Sequence, residues 1–452
     1  MNRRSFITTS AVLSTGSMLS LSGCKESGPA YNSESLHNWA GNINYSTRKV
    51  YHPASVAEVQ EIVKLNSKIK CLGSKHSFSR IADSDGCLLS TDRLKAILQL
   101  DEKNKLVTVE PGITYGELSV YLREHGFALH NLASLPHISV AGACATATHG
   151  SGVNNGNLSS IVNAIEIVDG MGNAHNLSRS SDPQQFNGVV VNLGALGVVT
   201  KLSLDVLPDF NMSQVVYRHL PLENLKQSFA DIMSAGYSVS LFTNWSDEKI
   251  NQVWVKSIHN NANPVVASSD FYGAKPSEKD MHPVDDQSSE TCTVQRGVIA
   301  SWYEIMPHFK MGFKPSTGKE LQSEFFVHKD AGIKAIEAMQ ALGKQISPHL
   351  FVSEIRSVKA DELWMSPAYK KDCIAIHTTW NQDDRVISDL IPLVQKALRP
   401  FDPIPHWAKL TSIAPAEIAR LYPRMDSFRE LCGQFDPKKK FVNKYLEEFI
   451  FQ

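Results

Sequence analysis

A histidine in a short run of glycine and serine directly follows a strand-like segment. Residues 69–72 (IKCL) have the character of a β-strand, and the run GSKHSF begins at Gly73. Glycine and serine permit a tight turn with accessible backbone N–H groups, which is the local chemistry of an anion or pyrophosphate cradle. The pattern predicts that His76 faces a large ligand, although an ordinary surface histidine in a turn would look the same.

Two further segments rich in small residues strengthen this prediction. The run from Ser134 to Gly152 carries almost no charge, and residues 192–200 (NLGALGVVT) are likewise uncharged and rich in small residues. Small residues over such lengths let the backbone approach a bulky ligand closely. Neither segment contains the G-x-G-x-x-G or G-x-x-x-x-G-K-[ST] spacing, so Rossmann and P-loop sites are excluded.

Helix and strand signals alternate through the first half of the chain. A capping box at Ser55 predicts one helix, and a second begins at Thr114 and ends near Gly126. Residues 106–109 are strand-like, and residues 161–168 followed by Asp-Gly predict a hairpin. This part is therefore a mixed α and β domain that ends near residue 208.

A second domain of different character follows. Runs such as residues 239–242 are strand-like, and residues 331–342 predict a helix. Residues 260–295 are polar and rich in Asn, Ser, Asp and Pro. They predict a long loop that either decorates the second domain or covers an active site.

Polar side chains alternate along two predicted strands of this domain. Glu354 and Arg356 share one face of their strand, as do His377 and Thr379 on another. Such a face is often merely solvated, and Glu354 and Arg356 could form a structural ion pair on one strand. The isoleucines between them favour a buried face, where a histidine and an arginine need partners or a function.

The order of these motifs resembles that of a known family. GSKHSF, SLPHISVAGACATATHGSG and NLGALGVVTKL, followed by YSVSLFT, EIR, HTTW and PHWAK, resemble the vanillyl-alcohol-oxidase-type flavoproteins, most closely the alditol (sugar-alcohol) oxidases. The resemblance covers nearly the whole chain from Asn38. It implies an α+β, two-domain flavoprotein, with an FAD-binding domain at residues 38–210, a sheet-and-helix substrate (cap) domain at 211–400, and a segment at 401–452 that returns to the FAD domain.

The resemblance also implies a cofactor site. The histidine that matches His76 carries FAD through a covalent bond to the flavin 8α-methyl group. No metal is expected. The other implied FAD-binding residues are Gly73, Ser74, Lys75, Ser77, Phe78, Ser134, Ser139, Gly142, Thr146, Thr148, His149, Gly150, Gly152, Gly197, Val198 and Val199.

A polyol site is implied by the same resemblance. A sugar alcohol offers several hydroxyl groups, each a donor and an acceptor, and these suit a carboxylate, a guanidinium and hydroxyl groups. His377 is expected to take the hydroxyl proton and Lys409 to stabilise reduced flavin and the substrate oxygen, with Arg356 as the other catalytic candidate. The substrate-binding residues implied are Ser134, Glu354, Arg356, Thr379 and Lys409.

Two positions depart from the family pattern. Lys75 stands where a small residue is usual, and its charge either raises the flavin potential or points to solvent; Ala408 stands where glycine is usual. His137 and His149 are expected to pack or to bond the backbone rather than to catalyse. Cys144 is expected to be a small buried residue and not a second flavin attachment.

The N-terminus has the features of an export signal. Paired arginines at Arg3 and Arg4 precede an apolar stretch, and LSGC ending at Cys24 resembles a lipoprotein cleavage box. Residues 1–24 therefore predict twin-arginine export to the bacterial envelope or periplasm, with a lipid anchor at Cys24 as the membrane attachment. An ordinary Sec signal or a disordered tail is the alternative. Export of a folded protein suits a chain that acquires FAD in the cytoplasm.

Composition narrows the remaining choices. The net charge of −1 gives no reason to expect nucleic acid as a partner, and we expect a monomer. Folding before export favours buried thiols over disulfides. The cysteines beyond Cys24 have no metal-ligand spacing: Cys71, Cys87, Cys144, Cys292, Cys373 and Cys432.

The expected activity is oxidation of a primary alcohol of a sugar alcohol, with O2 reduced to hydrogen peroxide. Xylitol, sorbitol, mannitol and glycerol all fit. A sugar-lactone oxidase, or a dehydrogenase that passes electrons to a quinone or cytochrome, is the nearest alternative. A non-catalytic carbohydrate-binding lipoprotein is a third, which the intact set of Glu354, Arg356, His377 and Lys409 argues against.

Overall fold

The structure is a computed structural model that describes residues 29–259, 267–312 and 320–452. The predicted signal at residues 1–24, with its anchor site Cys24, lies outside these residues. Within the described ranges, no helix is both long and apolar enough to cross a membrane.

A capped helix and a small, mostly parallel sheet begin the fold. Ser55 Oγ accepts the backbone N–H of Glu58 at 3.2 Å, and the predicted helix follows as Val56–Leu65. The strand predicted next is confirmed as Ile69–Leu72, at one edge of the sheet. In spatial order the sheet is Asn32–Ser33, Lys49–Tyr51, Cys87–Ser90 and Ile69–Leu72.

An antiparallel sheet forms the rest of the N-terminal region. The capping box between Thr114 and Glu117 starts the helix Tyr115–Glu124, and the predicted hairpin is confirmed by Val162–Val168 paired with Ala174–Ser178. The spatial order of the sheet is Ile97–Asp101, Leu106–Val109, Val198–Asp205, Val162–Val168 and Ala174–Ser178. A separate pair joins Phe127–Ala128 to Leu207–Pro208.

One long antiparallel sheet occupies the second half of the chain. The predicted change of character is confirmed, because the strands become long and are buried on both faces over much of their length. The spatial order is Lys275–Pro276, Asn211–Pro221, Lys249–His259, Ser238–Thr243, Leu350–Val358, Cys373–Asn381, Glu320–His328 and Ile404–Pro405, with Ala300–Ser301 paired to Asn211–Pro221.

Helices connect many of these strands along the chain. The helix predicted at residues 331–342 is confirmed as Gly332–Ala341. The described part of the predicted loop, residues 267–295, is mainly irregular. The other α-helices are Val140–Ala145, Pro183–Val189, Leu222–Gln227, Phe229–Met233, Trp302–Ile305, Gly343–Ile346, Ile391–Leu398, Pro415–Leu421, Met425–Phe435 and Lys444–Phe449, and a π-helix spans Val386–Leu390. Short 3-10 helices span Arg80–Ala82, Leu158–Ile161, Ser289–Thr291, Lys329–Ala331, Ser347–His349 and Arg399–Phe401.

The C-terminal segment packs on the N-terminal region. The carbonyl oxygen of Lys440 accepts the N–H of Ile69 at 2.9 Å, and Asn443 Nδ2 donates to the carbonyl oxygen of Asp83 at 2.7 Å. Phe441 is fully buried beside the helix Val56–Leu65. A larger apolar core runs continuously through both regions and holds the sheets in place.

Candidate active site

A cavity of about 910 Å³ lies where the three small-residue segments meet one face of the long sheet. Cavities of this size suit large organic ligands. Most of the residues predicted from sequence to bind a cofactor or substrate line it. They are Gly73, Ser74, Lys75, His76, Ser77, Phe78, Ser134, Gly142, Thr146, Thr148, His149, Gly197, Val199, Glu354, Arg356, His377, Thr379 and Lys409.

Ser139 and Val198, predicted to bind the cofactor, lie behind the cavity wall instead. Ser139 is buried, and its N–H donates to Ser74 Oγ at 3.2 Å, so it joins two of the loops that form the wall. Val198 packs in the apolar core because successive residues of a strand face opposite sides, which leaves Val199 toward the cavity.

Gly150 and Gly152 also support the wall without lining it. A Cβ on Gly150 would lie 2.2 Å from Asn131 Oδ1, so the residue is small because a neighbouring loop packs against it. The N–H of Gly152 donates to the carbonyl oxygen of Ser357 at 3.0 Å, which links this loop to the long sheet. Both glycines thus serve loop packing.

His76 lies between two aromatic rings at the cavity wall. Its imidazole stacks on Trp39 at 5.1 Å between ring centroids, and His137 lies 4.6 Å away on a tilted plane. Burial lowers the pKa of His76 to about 3, and His137 and Lys409 add to the shift. The ring is therefore neutral near pH 7, with a nitrogen lone pair available as a nucleophile.

Three ionisable residues lie side by side across three strands of the long sheet. His377 on Cys373–Asn381 is the register partner of Glu354 on one neighbouring strand and of Glu324 on the other. Glu354, Arg356 and His377 are 5, 7 and 9 % exposed, so the solvated-face alternative is wrong. Glu354 and Arg356 line the same cavity as His377 and Thr379, as the alternation of side chains along each strand predicted.

Arg356 bridges two buried carboxylates. Its Nη2 donates to Glu324 Oε1 at 2.9 Å, and its Nε forms an ion pair with Glu354 Oε1 at 3.6 Å, as the ion-pair alternative anticipated. His149 Nε2 lies 3.1 Å from the same Glu324 oxygen. Burial raises the pKa of Glu324, but His149 and Arg356 outweigh it and hold the pKa well below its usual range. Glu324 is therefore ionised.

His377 is buried and Lys409 is partly buried at the same cavity. Burial lowers the pKa of His377 to about 3 although Glu324 opposes the shift, so the imidazole is neutral. Lys409 Nζ donates to Gln322 Oε1 and lies 4.8 Å from the centre of the Phe78 ring. Burial lowers the pKa of Lys409 to about 8 against the effect of Glu324. The site thus contains a neutral imidazole, His377, and an ammonium group, Lys409, whose pKa is lowered.

The polar loop after residue 267 covers part of this cavity. His282, Val284, Gln287 and Thr291 of this loop line the cavity. The alternative that this loop covers the active site therefore fits the structure. It adds apolar and polar groups to the cavity lining.

Comparisons with known proteins agree with this arrangement. A family model for an FAD binding domain matches residues 47–178, and one for D-arabinono-1,4-lactone oxidase matches residues 319–449. Alditol oxidase from a Streptomyces species is 40% identical over 421 residues, which cover 92% of this chain and 99% of that protein. The chain belongs to the alditol oxidase family. L-gulonolactone oxidase from Mus musculus is more distant, at 26% identity over 93% of this chain and 99% of that protein.

Solved structures confirm the fold expected for an alditol oxidase family member. Cholesterol oxidase from B. sterolicum superposes with a TM-score of 0.74 at 15% identity, over 93% of this chain and 97% of that one. Xylooligosaccharide oxidase from Myceliophthora thermophila superposes with a TM-score of 0.70 at 14% identity, over 91% and 93% of the two chains. The predicted α+β, two-domain flavoprotein of the vanillyl-alcohol-oxidase type is therefore confirmed, and the protein is an FAD-dependent oxidoreductase.

The residues at the cavity fit the FAD that this family binds. A Cβ on Gly73 would lie 2.5 Å from Ser139 Oγ, and one on Gly197 would lie 2.2 Å from the carbonyl oxygen of Val168. Only glycine lets these loops pack so closely while leaving room for a bulky ligand. The small-residue loops and His76 would hold FAD here.

The two departures from the alditol oxidase pattern are accommodated differently. Lys75 has a φ of +64°, a conformation unusual for a residue with a Cβ, and its carbonyl oxygen accepts the N–H of Trp39 at 2.8 Å. Lys75 lines the cavity and is partly exposed, so both alternatives for its charge stay open. Ala408 accepts the N–H of Phe78 at 2.7 Å and has ordinary backbone angles, so its methyl group is tolerated.

The structure shows the burial predicted for Cys144 and the backbone contact predicted for His149. Cys144 Sγ is buried 3.6 Å from the Tyr115 hydroxyl and outside the cavity, and burial raises the pKa of its thiol to about 12. His149 bonds the backbone as expected, with Nδ1 2.8 Å from the Gly150 carbonyl oxygen, and it also contacts Glu324. The predicted thiols are free, five of them buried and Cys71 partly buried.

Sequence reasoning missed Glu324, Gln322 and His308, which line the same cavity. Gln322 and Glu324 alternate along ELQSEFF, so the period-two pattern used for Glu354 would have found them. His308 lies in an irregular segment after Trp302–Ile305 and carries no such signal.

Proposed function

We propose that the protein oxidises the terminal primary hydroxyl of a sugar alcohol, such as xylitol or sorbitol, to the aldose and passes the electrons to O2. The observation that carries this proposal is that one cavity is lined by Glu354, Arg356, His377 and Lys409, in a chain 40% identical to an alditol oxidase. The substrate alcohol loses a hydride and a proton, and O2 takes up two electrons and two protons to form hydrogen peroxide.

Glu354 and Arg356 are suited to bind a polyol. Burial alone would raise the pKa of Glu354, but Arg356 and His308 hold it well below its usual range, so the side chain is a carboxylate acceptor. Arg356 presents several N–H donors beside it. Hydroxyl groups can donate to the carboxylate and accept from the guanidinium, and Thr379 and Ser134 add neutral polar contacts.

The proton of the reacting hydroxyl passes to His377 in this proposal. The ring is neutral, and the ionised Glu354 and Glu324 on its two neighbouring strands stabilise the imidazolium that forms. Lys409 stabilises negative charge that develops on the substrate oxygen. FAD, when bound, supplies the hydride acceptor.

We also propose that His76 holds FAD covalently. The support is its neutral ring at the cavity wall, held in place by stacking on Trp39. A covalent bond prevents loss of the cofactor after export. The proposed export to the envelope, with an anchor at Cys24, rests on the sequence of residues 1–24 alone.

The test uses the purified full chain with its native cofactor. Yellow colour that stays with acid-precipitated protein supports the covalent bond. Xylitol or sorbitol is then added without oxygen, followed by air. Bleaching by the polyol and rapid recovery with peroxide supports the oxidase, whereas slow recovery indicates a dehydrogenase with another acceptor.

A sugar lactone is the second candidate substrate. The match of residues 319–449 to the D-arabinono-1,4-lactone oxidase model favours it, because this range contains Glu354, His377 and Lys409. Bleaching by L-gulono-1,4-lactone but by no polyol would assign the site to lactones.

A further inference from the structure

His308 lies beside Glu354 at the cavity, and Lys256 lies next to His308; neither has been given a role in holding the substrate. His308 Nε2 lies 2.7 Å from Glu354 Oε1, and Lys256 Nζ lies 3.2 Å from His308 Nδ1. Lys256 is fully buried on Lys249–His259, and His308 is 6 % exposed. The three side chains therefore form a hydrogen-bonded row that ends at Glu354, the carboxylate proposed to bind the substrate.

The surroundings of Lys256 match an ammonium group. Its Nζ donates to the carbonyl oxygens of Met306 and Pro307, each at 2.7 Å, and to His308 Nδ1. An ammonium has three N–H donors, and these three acceptors satisfy all of them. Such complete pairing offsets the cost of burying the charge.

The protonation of His308 follows from its two neighbours. Glu354 is ionised, so the 2.7 Å contact requires a proton on His308 Nε2. Either an ammonium donates to a bare Nδ1, or a neutral amine accepts from a protonated Nδ1. Both arrangements place one positive charge on the pair. Burial lowers the pKa of His308 to about 4 and that of Lys256 to about 7, which favours the ammonium with a neutral ring.

The contacts of Glu354 distinguish its two oxygens. His308 and Arg356 both approach Oε1. Among the described residues, no side chain or backbone group donates to Oε2. Oε2 is thus the oxygen left for a ligand, and the orientation of the carboxylate depends on the bond from His308.

We propose that Lys256 and His308 are positioning residues, which hold Glu354 by Oε1 so that Oε2 accepts one hydroxyl of the substrate. This inference rests on the proposed function and deepens it. Lys256 fixes the ring of His308 through Nδ1, and His308 fixes the carboxylate through Nε2. Without them the carboxylate can rotate, and Arg356 becomes a competing partner for either oxygen.

The binding test compares matched substitutions in the holoenzyme. Rapid mixing with xylitol without oxygen gives the dissociation constant and the limiting rate of flavin reduction. His308→Leu removes the donor, and His308→Gln keeps an N–H at a similar place. Lys256→Met removes the second link, and Lys249→Met is the control, because Lys249 is exposed on the same strand.

We expect His308→Leu to raise the dissociation constant of xylitol roughly 10- to 100-fold, the range of one hydrogen bond to a charged group, with a much smaller change in limiting rate. His308→Gln should recover most of the loss, Lys256→Met should weaken binding, and Lys249→Met should match wild type. Unchanged binding in His308→Leu overturns the proposal. So does an equal loss in His308→Gln, which would indicate packing alone.

Nitrogen NMR of histidine-labelled holoenzyme tests the arrangement without turnover. The His308 signal is assigned by its loss in His308→Gln, and a proton on Nε2 is expected. A neutral ring with its proton on Nδ1 overturns the proposal. If a sugar lactone and no polyol reduces the wild type, the polyol assignment fails, and the same variants are titrated with the lactone.

Discussion

Arg356 reaches across an entire β-strand to bind Glu324. The two residues lie on strands that flank Cys373–Asn381, and Arg356 Nη2 donates to Glu324 Oε1 at 2.9 Å. The bond passes beside His377 on the middle strand, so a carboxylate that sequence reasoning missed sets the charge around the proposed base. Removing this carboxylate charge would leave Arg356 with Glu354 as its remaining ion-pair partner and would change the hydrogen-bond partner of His149 Nε2.

We expect Glu324→Gln to lower the free energy of unfolding by about 3 kcal/mol, because it breaks a buried ion pair and leaves the buried Arg356 charge with only its longer contact to Glu354. Urea unfolding of the holoenzyme measures it. Glu337→Gln is the control: Glu337 pairs with Lys226 at the surface, and its loss should cost less than about 1 kcal/mol. Equal effects in the two variants would contradict the ionic role of Glu324.

Lys409→Met should reduce the rate of flavin reduction by polyol roughly 100-fold, the size of effect seen when a charge-stabilising group is removed. Stopped-flow absorbance without oxygen measures the rate. Lys370→Met, at an exposed lysine, should leave it unchanged. Unchanged turnover and reduction in Lys409→Met would remove Lys409 from the mechanism.

The kcat/KM for polyol should fall as the pH rises through about 8. Burial lowers the pKa of Lys409 to about 8, and the charged groups around it are Glu324, Glu320, Arg356 and Glu354. Lysine is charged below its pKa, so the stabilising ammonium is lost on the alkaline side. Arginine stays charged above pH 8, so the profile of Lys409→Arg should lack this fall in kcat/KM on the alkaline side. Identical profiles for the two proteins would assign the fall to another group.

His76→Ala should bind FAD that acid precipitation releases. The wild type should retain its yellow colour in the pellet, because a covalent bond survives denaturation. Absorbance of the supernatant near the flavin maximum measures the released fraction. His125→Ala, at an exposed histidine, should behave as wild type. Release of FAD from the wild type would show that the covalent bond is absent.

Two glycine substitutions should have opposite effects on stability. Gly197→Ala places a Cβ 2.2 Å from the carbonyl oxygen of Val168 at a φ of +156°, so we expect it to destabilise the fold and lower the bound flavin. Gly433→Ala lies in the helix Met425–Phe435 with no atom within 4 Å of the new Cβ. It should stabilise by about 0.5 to 1 kcal/mol. Thermal unfolding and flavin content decide both, and a stable, flavin-replete Gly197→Ala would refute the close-packing argument.

Local patterns predicted much of this architecture. The capping boxes at Ser55 and Thr114 placed two helices correctly, because a cap involves residues only three positions apart. The alternation of side chains along a strand correctly predicted that Glu354 shares a face with Arg356 and that His377 shares a face with Thr379. All four line one cavity. Order of motifs, in turn, indicated the family.

Contacts between distant segments decided the rest. Strand register brings Glu324 beside His377, and chain packing brings His308 beside Glu354 and Lys256 next to His308. The sequence by itself determined which side chains share a face, since neighbours along a strand alternate sides whatever the fold. Only the tertiary structure decided which faces meet, because pairing of strands far apart in the chain depends on the core as a whole, and no local period encodes it.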